Sequence, residues 1–458
     1  MSVGDCAEGL TARLAAFVAD TRWEAVPEGM RHEAKRALVN YFAVALAGSQ
    51  DPDLATASTV LRRFDGGGQA SLVGRDQRMD LLNAAALNAM AANVHDFDDT
   101  HLPTIIHPTA PVAAALFALA ERQPVSGEQW LLAFVLGVEV TCRLGRAISP
   151  EHYQRGWHIT ATCGVFGAAA AVGKLLGLDA SGIAGAWGNA SAQACGLVET
   201  LGSAAKSLGV GNAARNGLLS ALLAAEGFHG PAAPLEGERG FLRVFGAAPR
   251  FSGVIEGLGE RWELAANTYK PYPCGVVLNP VIEACLTLHA ERDWDPACIE
   301  RIELKGHPLL RQRTDRPGIR LGRQSQVSAQ HAVAVSLVDG LAGLAQFSDA
   351  AVAREDLRAL YPRLVFHDDP SMAVEAAKVT VALRDGRRLE RTVTAALGSL
   401  QRPLDDAALE QKLRTLAGPH ATAGLVDALW SLDRAPDAAL CMRLAPVFSR
   451  HEAAGSIL

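Results

Sequence analysis

A dense polar cluster lies between two apolar stretches of the chain. Three histidines and three aspartates occupy thirteen positions, residues 95–107. Residues 81–94 before it and residues 112–120 after it are rich in alanine and leucine and carry no charged side chain. Both stretches therefore predict buried helices. Polar groups between two buried helices cost free energy unless they are paired or used, so this segment constrains the fold more than any other.

The cluster has simpler interpretations than an active site. Asp98, Asp99 and Thr100 fit a turn that caps a helix end, and Thr109 fits an N-cap with Pro111 in the first helical turn. A histidine can also be a hydrogen-bonded core residue. A metal site is a third interpretation. No ligand pair such as His-x-x-x-His falls on one predicted helix here, so we rank metal binding last and expect no metal.

Size and charge bound the class of protein. A chain of 458 residues exceeds one ordinary core, so we expect two domains. The composition is globular, with 49% hydrophobic and 20% charged residues, and the formal net charge is -6. This charge argues against nucleic acid or an anionic membrane as a partner. Charged or polar residues interrupt the apolar stretches before they reach membrane-spanning length.

The cysteines indicate a reducing compartment. Eight cysteines are spread over the chain without a CxxC motif, which is typical of isolated reduced thiols and not of a zinc or iron–sulfur framework. Residues 1–8 have neither a basic region nor an apolar run of the kind found in leader peptides. We therefore expect a cytoplasmic protein.

Hydrophobic periodicity predicts a mainly α fold with two domains. Apolar residues recur at helical spacing over most of residues 9–245, and Ala-Gly-rich runs there predict closely packed helices. Residues 299–304 alternate like a strand, and Asp385-Gly386 between two apolar alternating runs predicts a hairpin. The expected organisation is a large helical domain, a smaller α/β domain, and a C-terminal segment returning to the helical domain: residues 1–267, 268–398 and 399–458.

Three basic or ionisable residues stand at breaks in the apolar pattern. His158 follows Gly156-Trp157 and opens an apolar helix, Lys206 lies in a small-residue loop before a helix, and Lys270 lies in a Tyr-Pro loop. A basic side chain does not cap a helix N-terminus, which already carries partial positive charge. Each lysine alone is typical of a solvated surface. Together with the acidic–histidine cluster they predict a pocket for a carboxylate ligand.

At these residues the sequence resembles the MmgE/PrpD family, which includes 2-methylcitrate dehydratase, cis-aconitate decarboxylase and iminodisuccinate epimerase. The stretches that carry the resemblance occur in the family's order and cover nearly the whole chain: Asp96-Phe-Asp-Asp-Thr100 with His107-Pro108, Gly156-Trp-His158, Lys206 with Gly211-Asn-Ala-Ala-Arg215, Lys270-Pro-Tyr-Pro-Cys274, Asp339-Gly340, and Gly398 with Pro403-Leu404.

The resemblance implies a large helical domain completed by the C-terminal segment, a smaller α/β domain, and an active site between them. It also implies a homodimer without a metal or an organic cofactor. The family's positions for catalysis and substrate binding match six residues of this chain: Asp96, Thr100, His107, His158, Lys206 and Lys270.

Two positions depart from the family pattern. Asn279 stands where many members carry histidine nine residues after the loop lysine, and His331 stands where the decarboxylases carry tyrosine. Asparagine cannot exchange a proton near neutral pH, whereas histidine can. We expect both residues to contact substrate and to set the substrate range, with His331 supplying proton transfer if its side chain points into the cleft. The alternative is that His331 only fills space on its helix.

The expected function is that of a cofactor-independent lyase acting on a small di- or tricarboxylate. The reaction resembles that of 2-methylcitrate dehydratase or cis-aconitate decarboxylase, with proton transfer at a carbon next to a carboxylate and with elimination of water favoured. His107 is the expected general base or acid, with Asp96 orienting it. Lys206, Lys270, His158 and Thr100 are expected to stabilise the enolate-like charge.

Three alternatives remain for the function. An epimerase or isomerase of a dicarboxylate passes through the same intermediate on the same fold. A non-catalytic, ligand-binding homologue would leave most of the matching positions idle. A metal hydrolase would use Asp98, Asp99, His101 and His107.

Overall fold

A computed structural model of the protein describes residues 9–418 and 423–448. Residues 1–8, from which we expect no leader peptide, lie outside the described part, as do residues 419–422 and 449–458 of the C-terminal segment. The fold is mainly α with a small sheet, which confirms the predicted fold class. No helix within the described ranges combines the length and the apolar character needed to cross a membrane.

Most of the first 267 residues are helical. The helices are α1 (Leu10–Asp20), α2 (Glu28–Gly48), α3 (Pro52–Leu61), α4 (Leu81–Asn93), α5 (Thr109–Ala120), α6 (Gly127–Ile148), α7 (Glu151–Gln154), α8 (Ile159–Leu175), α9 (Ala180–Ser191), α10 (Ala204–Ala225), α11 (Phe241–Phe245) and α12 (Phe251–Ile255). Two short pairs of strands accompany them: β1 (Ala70–Ser71) with β2 (Arg78–Met79), and β3 (Thr100–His101) with β4 (Asn267–Thr268).

The remaining elements form an α/β unit and a helical C-terminal segment. They are α13 (Asn279–Ala290), β5 (Ile299–Gly306), α14 (Pro308–Thr314), α15 (Gly322–Ser325), α16 (Ala329–Asp339), α17 (Asp349–Val352), α18 (Glu355–Arg358), β6 (Leu364–Asp368), β7 (Ala377–Leu383), β8 (Arg388–Val393), α19 (Asp406–Ala417), α20 (Ala423–Trp430) and α21 (Leu440–Leu444).

Small residues let the central helices approach closely. A methyl group added at Gly217 of α10 would lie 2.5 Å from the Cβ of Ala168 and 2.7 Å from the carbonyl oxygen of Val165, both on α8. Atoms cannot approach that closely without displacement, so this crossing requires glycine. The Ala-Gly-rich runs therefore serve helix packing, as their composition predicts.

The sheet of the α/β unit has the strand order β6-β5-β7-β8. Strands β7 and β8 pair antiparallel around Asp385-Gly386, with Gly386 at a φ of +87°, which confirms the predicted hairpin. Strand β6 pairs parallel with β5. The sequence pattern did not indicate β6, because its side chains do not alternate between buried and exposed.

Most of the buried apolar side chains among the described residues form two clusters. The larger runs from Leu10 to Tyr269 and takes in further side chains from Leu404 to Met442 of the C-terminal segment. The smaller contains side chains between Cys274 and Ala396. The polar cluster of residues 95–107 begins directly after α4 and ends directly before α5, so two helices of the larger core fix both of its ends.

Candidate active site

A cavity of about 150 Å³ opens where the polar cluster faces the start of the α/β unit. Its walls come from both parts of the fold, because α8 and α10 contribute residues as well as α14 and the turn at residues 275–277. The cavity brings together six residues predicted from the sequence: Asp96, Thr100, His107, His158, Lys206 and Lys270.

Asp96 is the centre of this arrangement. Its Oδ1 accepts hydrogen bonds from Lys206 Nζ at 2.7 Å and from Lys270 Nζ at 3.0 Å. Lys270 Nζ also donates to the Asp96 carbonyl at 2.8 Å. The Asp96 backbone has a φ of +50°, a left-handed conformation that aspartate adopts more readily than most residues. The turn therefore aims the carboxylate at both lysines.

The two lysines keep Asp96 ionised. Burial alone raises the pKa of this carboxyl, but attraction by Lys206, Lys270 and His107 outweighs burial and holds the pKa well below its usual value. An ammonium group has three donors. Within the described residues, Lys206 uses one of them and Lys270 uses two. The pair therefore retains donors for an anionic ligand in the cavity.

His107 is oriented by its Nδ1 atom. That nitrogen donates to the carbonyl oxygen of Asp99 at 2.9 Å and lies 3.2 Å from Asp98 Oδ1. A carbonyl can only accept, so Nδ1 carries the proton and the free lone pair is on Nε2. Nε2 lies 3.7 Å from Asp96 Oδ1, beyond hydrogen-bonding distance.

This geometry corrects the role expected for Asp96. The polypeptide orients His107 through Asp98 and the Asp99 carbonyl, whereas Asp96 holds the lysines. Burial raises the pKa of Asp98, but His107 more than compensates and lowers it to about 2. Burial and the neighbouring Asp98 raise the pKa of Asp99 to about 6. Asp98 is therefore the anion that stabilises an imidazolium at His107.

His158 enters the cavity as a neutral group. It is the residue immediately before α8 and is 4% exposed. Burial, followed by the charges of Lys206 and His107, lowers its pKa to about 3. At neutral pH His158 can therefore stabilise developing charge as a hydrogen-bond donor, without a positive charge of its own.

Thr100 lines the cavity, and its hydroxyl has no hydrogen-bond partner among the described residues. Its Oγ1 is fully buried and makes no hydrogen bond there, although the Thr100 backbone is fixed by pairing of β3 with β4. A buried hydroxyl without a partner carries a cost of desolvation. A ligand oxygen in the cavity would remove that cost.

Asn279 and His331 do not line the cavity. Asn279 is 3% exposed at the start of α13, and its Oδ1 lies 3.9 Å from Cys274 Sγ. His331 is completely buried; its Nε2 lies 2.6 Å from the Gln346 carbonyl and its Nδ1 lies 2.7 Å from the Tyr361 hydroxyl. The condition for proton transfer by His331, a side chain that points into the cleft, is not met, because both ring nitrogens contact other parts of the α/β unit. The cavity therefore does not bring Asn279 and His331 to the substrate as expected.

Neither of the other two histidines of the central cluster is among the cavity residues. His95 forms a hydrogen bond with the backbone of Ala47, and His101 is a structural residue. Its Nδ1 lies 2.8 Å from Thr104 Oγ1 and its Nε2 lies 3.1 Å from Glu263 Oε2. It is buried and is not among the cavity residues. This is the core role that we set out as the simpler interpretation.

Asp96, Asp98 and His107 offer ligand atoms within 4.8 Å of one another, close enough for a metal ion. Two ammonium groups already occupy Asp96 Oδ1, and the protonated Nδ1 of His107 is turned toward Asp98. A divalent cation would meet those positive charges at short range. The donor set therefore suits an anion better than a metal.

Tyr153, Arg313 and Arg316 also line the cavity, although the sequence analysis did not single them out. Tyr153 belongs to the short helix α7, Arg313 to α14, and Arg316 to the turn that follows α14. In the sequence the arginines belong to a stretch rich in basic and polar residues that reads as an exposed surface. Only the fold of the α/β unit over the helical part brings them to the cavity.

The family comparison covers most of the chain. The profile of the MmgE/PrpD N-terminal domain matches residues 12–253, and that of the MmgE/PrpD C-terminal domain matches residues 272–435.

Several relatives of the chain are named cis-aconitate decarboxylase. The chain is 30% identical to cis-aconitate decarboxylase of Aspergillus terreus over 94% of each sequence. It is 27% identical to cis-aconitate decarboxylase of Homo sapiens, over 86% of this chain and 85% of the relative. It is 25% identical to the protein of that name from Mus musculus, over 92% and 89%.

Proposed function

The chain belongs to the MmgE/PrpD family, and from this premise we propose that it is a carboxy-lyase acting on a small tricarboxylate of the cis-aconitate type. The names of its relatives favour loss of carbon dioxide over the loss of water that we expected from the sequence. The observation that carries the proposal is the convergence of Lys206, Lys270, His107 and Thr100 on one cavity.

The cavity suits a reaction that develops negative charge beside a carboxylate. Lys206 and Lys270 retain N–H donors beyond those bound to Asp96, and the Thr100 hydroxyl is also available. Fixed donors in a site that excludes water stabilise an enolate-like charge strongly. His107 is oriented to carry a proton on Nε2 when it is an imidazolium, with Asp98 as the counter-charge.

The proposed step breaks one carbon–carbon bond. The carboxylate on the carbon next to the double bond leaves as carbon dioxide, and its bonding electrons form a new double bond. The electrons of the original double bond move to the carbon beside a second carboxylate. His107 delivers a proton from Nε2 to that carbon and regains one from solvent. The net reaction consumes one proton and releases one carbon dioxide.

The proposed reaction depends only on groups of the chain itself. The chain's own lysines and histidines supply the positive charge and the proton, so the reaction is proposed to need neither a metal nor an organic cofactor. The resemblance to the family supports a homodimer. The spacing of the cysteines along the sequence supports a cytoplasmic location.

The test measures proton transfer by the parent protein and by two histidine variants, one in the cavity and one at an exposed position. The purified protein is incubated with cis-aconitate, citrate and 2-methylcitrate in deuterium oxide, and NMR records carbon dioxide loss, water loss and carbon-bound deuterium separately. His107→Asn should reduce turnover by about a hundredfold or more, the usual scale for a lost acid–base group. His229→Asn, at an exposed position, should leave turnover unchanged. Equal turnover in both variants would exclude His107 as the proton donor.

A further inference from the structure

Two arginines of the α/β unit line the same cavity. Arg313 lies near the end of α14, and Arg316 lies in the turn that follows. The Arg313 guanidinium lies over the Tyr153 ring, with its central carbon 5.1 Å from the ring centroid. Stacking on an aromatic ring fixes the plane of a guanidinium and leaves its N–H edge free to bind an anion.

Neither arginine has an anionic partner within residues 9–418 and 423–448. Arg311 on the same helix provides the contrast, because its exposed side chain binds Asp368 through two nitrogens. Burial lowers the pKa of Arg313. A guanidinium held in a cavity without a counter-ion is costly and is stabilised by any carboxylate that enters.

The charge of the cavity points the same way. Four cationic side chains and one carboxylate line it, a formal charge of +3: Lys206, Lys270, Arg313, Arg316 and Asp96. The lysines share Asp96, so their half of the cavity is partly neutralised. The arginines share no carboxylate among the described residues. Their side of the cavity is thus the stronger binding site for a fixed anionic group.

We propose that Arg313 and Arg316 bind a carboxylate of the substrate that takes no part in the chemistry, and so make the enzyme selective for tricarboxylates over dicarboxylates. The inference rests on the proposed function and names the residues that determine its specificity. The reacting part of the substrate then lies with His107 and the lysines. Helix α14 thereby gives the α/β unit a recognition role, while most of the reacting groups come from the helical part.

The test compares two unreactive ligands that differ by one carboxylate. Propane-1,2,3-tricarboxylate and 2-methylsuccinate share one carbon skeleton, and the second lacks a terminal carboxylate. Their binding to the full-length protein is measured by calorimetry. Arg313→Gln and Arg316→Gln should each weaken tricarboxylate binding by about 10- to 100-fold, the scale of a charge-assisted hydrogen bond. Binding of 2-methylsuccinate should change less than threefold.

Arg311→Gln is the matched control on the same helix and should leave both affinities unchanged, and circular dichroism confirms that each variant is folded. If both arginine variants lose the two ligands equally, or lose neither, or if the parent does not prefer the tricarboxylate, the inference is overturned. Failure of the proposed function has a different signature. The parent then shows arginine-dependent tricarboxylate binding but releases no carbon dioxide from cis-aconitate.

Discussion

Replacing Asp96 with asparagine separates the charge of this residue from its shape. Asparagine has nearly the same volume and also tolerates a left-handed backbone, here at a φ of +50°. The substitution therefore preserves the turn and removes one negative charge. Lys206 Nζ and Lys270 Nζ, now 2.7 Å and 3.0 Å from the same oxygen, would face each other without a shared counter-ion.

The cost is large because the site is buried. Lys270 is 1% exposed and Lys206 is 8% exposed, so bulk solvent screens the two ammonium groups only weakly after the carboxylate is lost. Removing one partner of a buried ion pair typically destabilises a protein by about 3–5 kcal/mol. The Lys270 bond to the Asp96 carbonyl survives, which places Asp96→Asn near the lower end of that range. Turnover should fall by at least about a hundredfold, because the cations that stabilise the transition state lose their fixed positions.

The assay is thermal unfolding followed by circular dichroism, together with initial rates on cis-aconitate. Asp368→Asn is the control, because this carboxylate forms an exposed ion pair with Arg311. The control should unfold and react like the parent. If Asp96→Asn matches the parent in both measurements, Asp96 does not hold the two lysines and the site is organised differently.

Three further predictions concern groups around the site. Lys412 Nζ donates to the carbonyls of Phe97 and Lys270 at 2.9 Å each. Lys412→Met leaves those buried acceptors without a partner and should therefore lower the unfolding temperature and slow turnover by roughly tenfold. An unchanged rate would show that Lys412 does not position the backbone at Phe97 and Lys270. His331→Phe should lower the free energy of unfolding by about 1–3 kcal/mol, because the Tyr361 hydroxyl and the Gln346 carbonyl lose their partner. Turnover should stay within about twofold of the parent, since His331 lies outside the cavity. A hundredfold loss of rate would show that His331 takes part in the reaction. The fold lowers the pKa of His158 from its ordinary value of 6.5 to about 3. Between these pH values the unfolded chain binds a proton that the folded chain does not. The free energy of unfolding should therefore fall as the pH drops from about 6.5 toward 3, by up to about 1.4 kcal/mol per pH unit. In His158→Gln the pH dependence of the free energy of unfolding should be weaker by the contribution of one bound proton. An identical pH dependence would contradict a lowered pKa for His158.

Local patterns in the sequence predicted the site where its residues are adjacent along the chain. Residues 95–107 could be recognised in the sequence because charged residues between two apolar helices are unusual. The structure places Asp96, Thr100 and His107 of this segment around one cavity. His158 and Lys270 lie at breaks between helices, as predicted. The loop predicted around Lys206 is wrong, because α10 already begins at Ala204 and Lys206 lies in its first turn. The sequence also predicted the hairpin of β7 and β8, since its turn chemistry is local.

The remaining features depend on long-range packing. Which aspartate contacts His107 is decided by the left-handed turn at Asp96, which no spacing rule predicts. Arg313 lines the cavity because α14 lies at the cavity wall. The sequence around Arg313 is typical of an exposed helix and does not indicate this position. The orientation of the His331 side chain stayed open in the sequence for the same reason. Its helix has buried residues on every side, so periodicity could not show which side faces the cleft.

The stoichiometry of a single turnover in deuterium oxide tests directly whether the enzyme removes carbon dioxide and protonates the product carbon. The parent protein is given cis-aconitate labelled with carbon-13 in the carboxylate that is expected to leave, and labelled carbon dioxide is counted against carbon-bound deuterium in the product. The proposed decarboxylation should give one carbon dioxide and one deuterium per product molecule, and His107→Asn should reduce both together. Deuterium uptake into unreacted substrate without carbon dioxide, or loss of water in place of carbon dioxide, would contradict it.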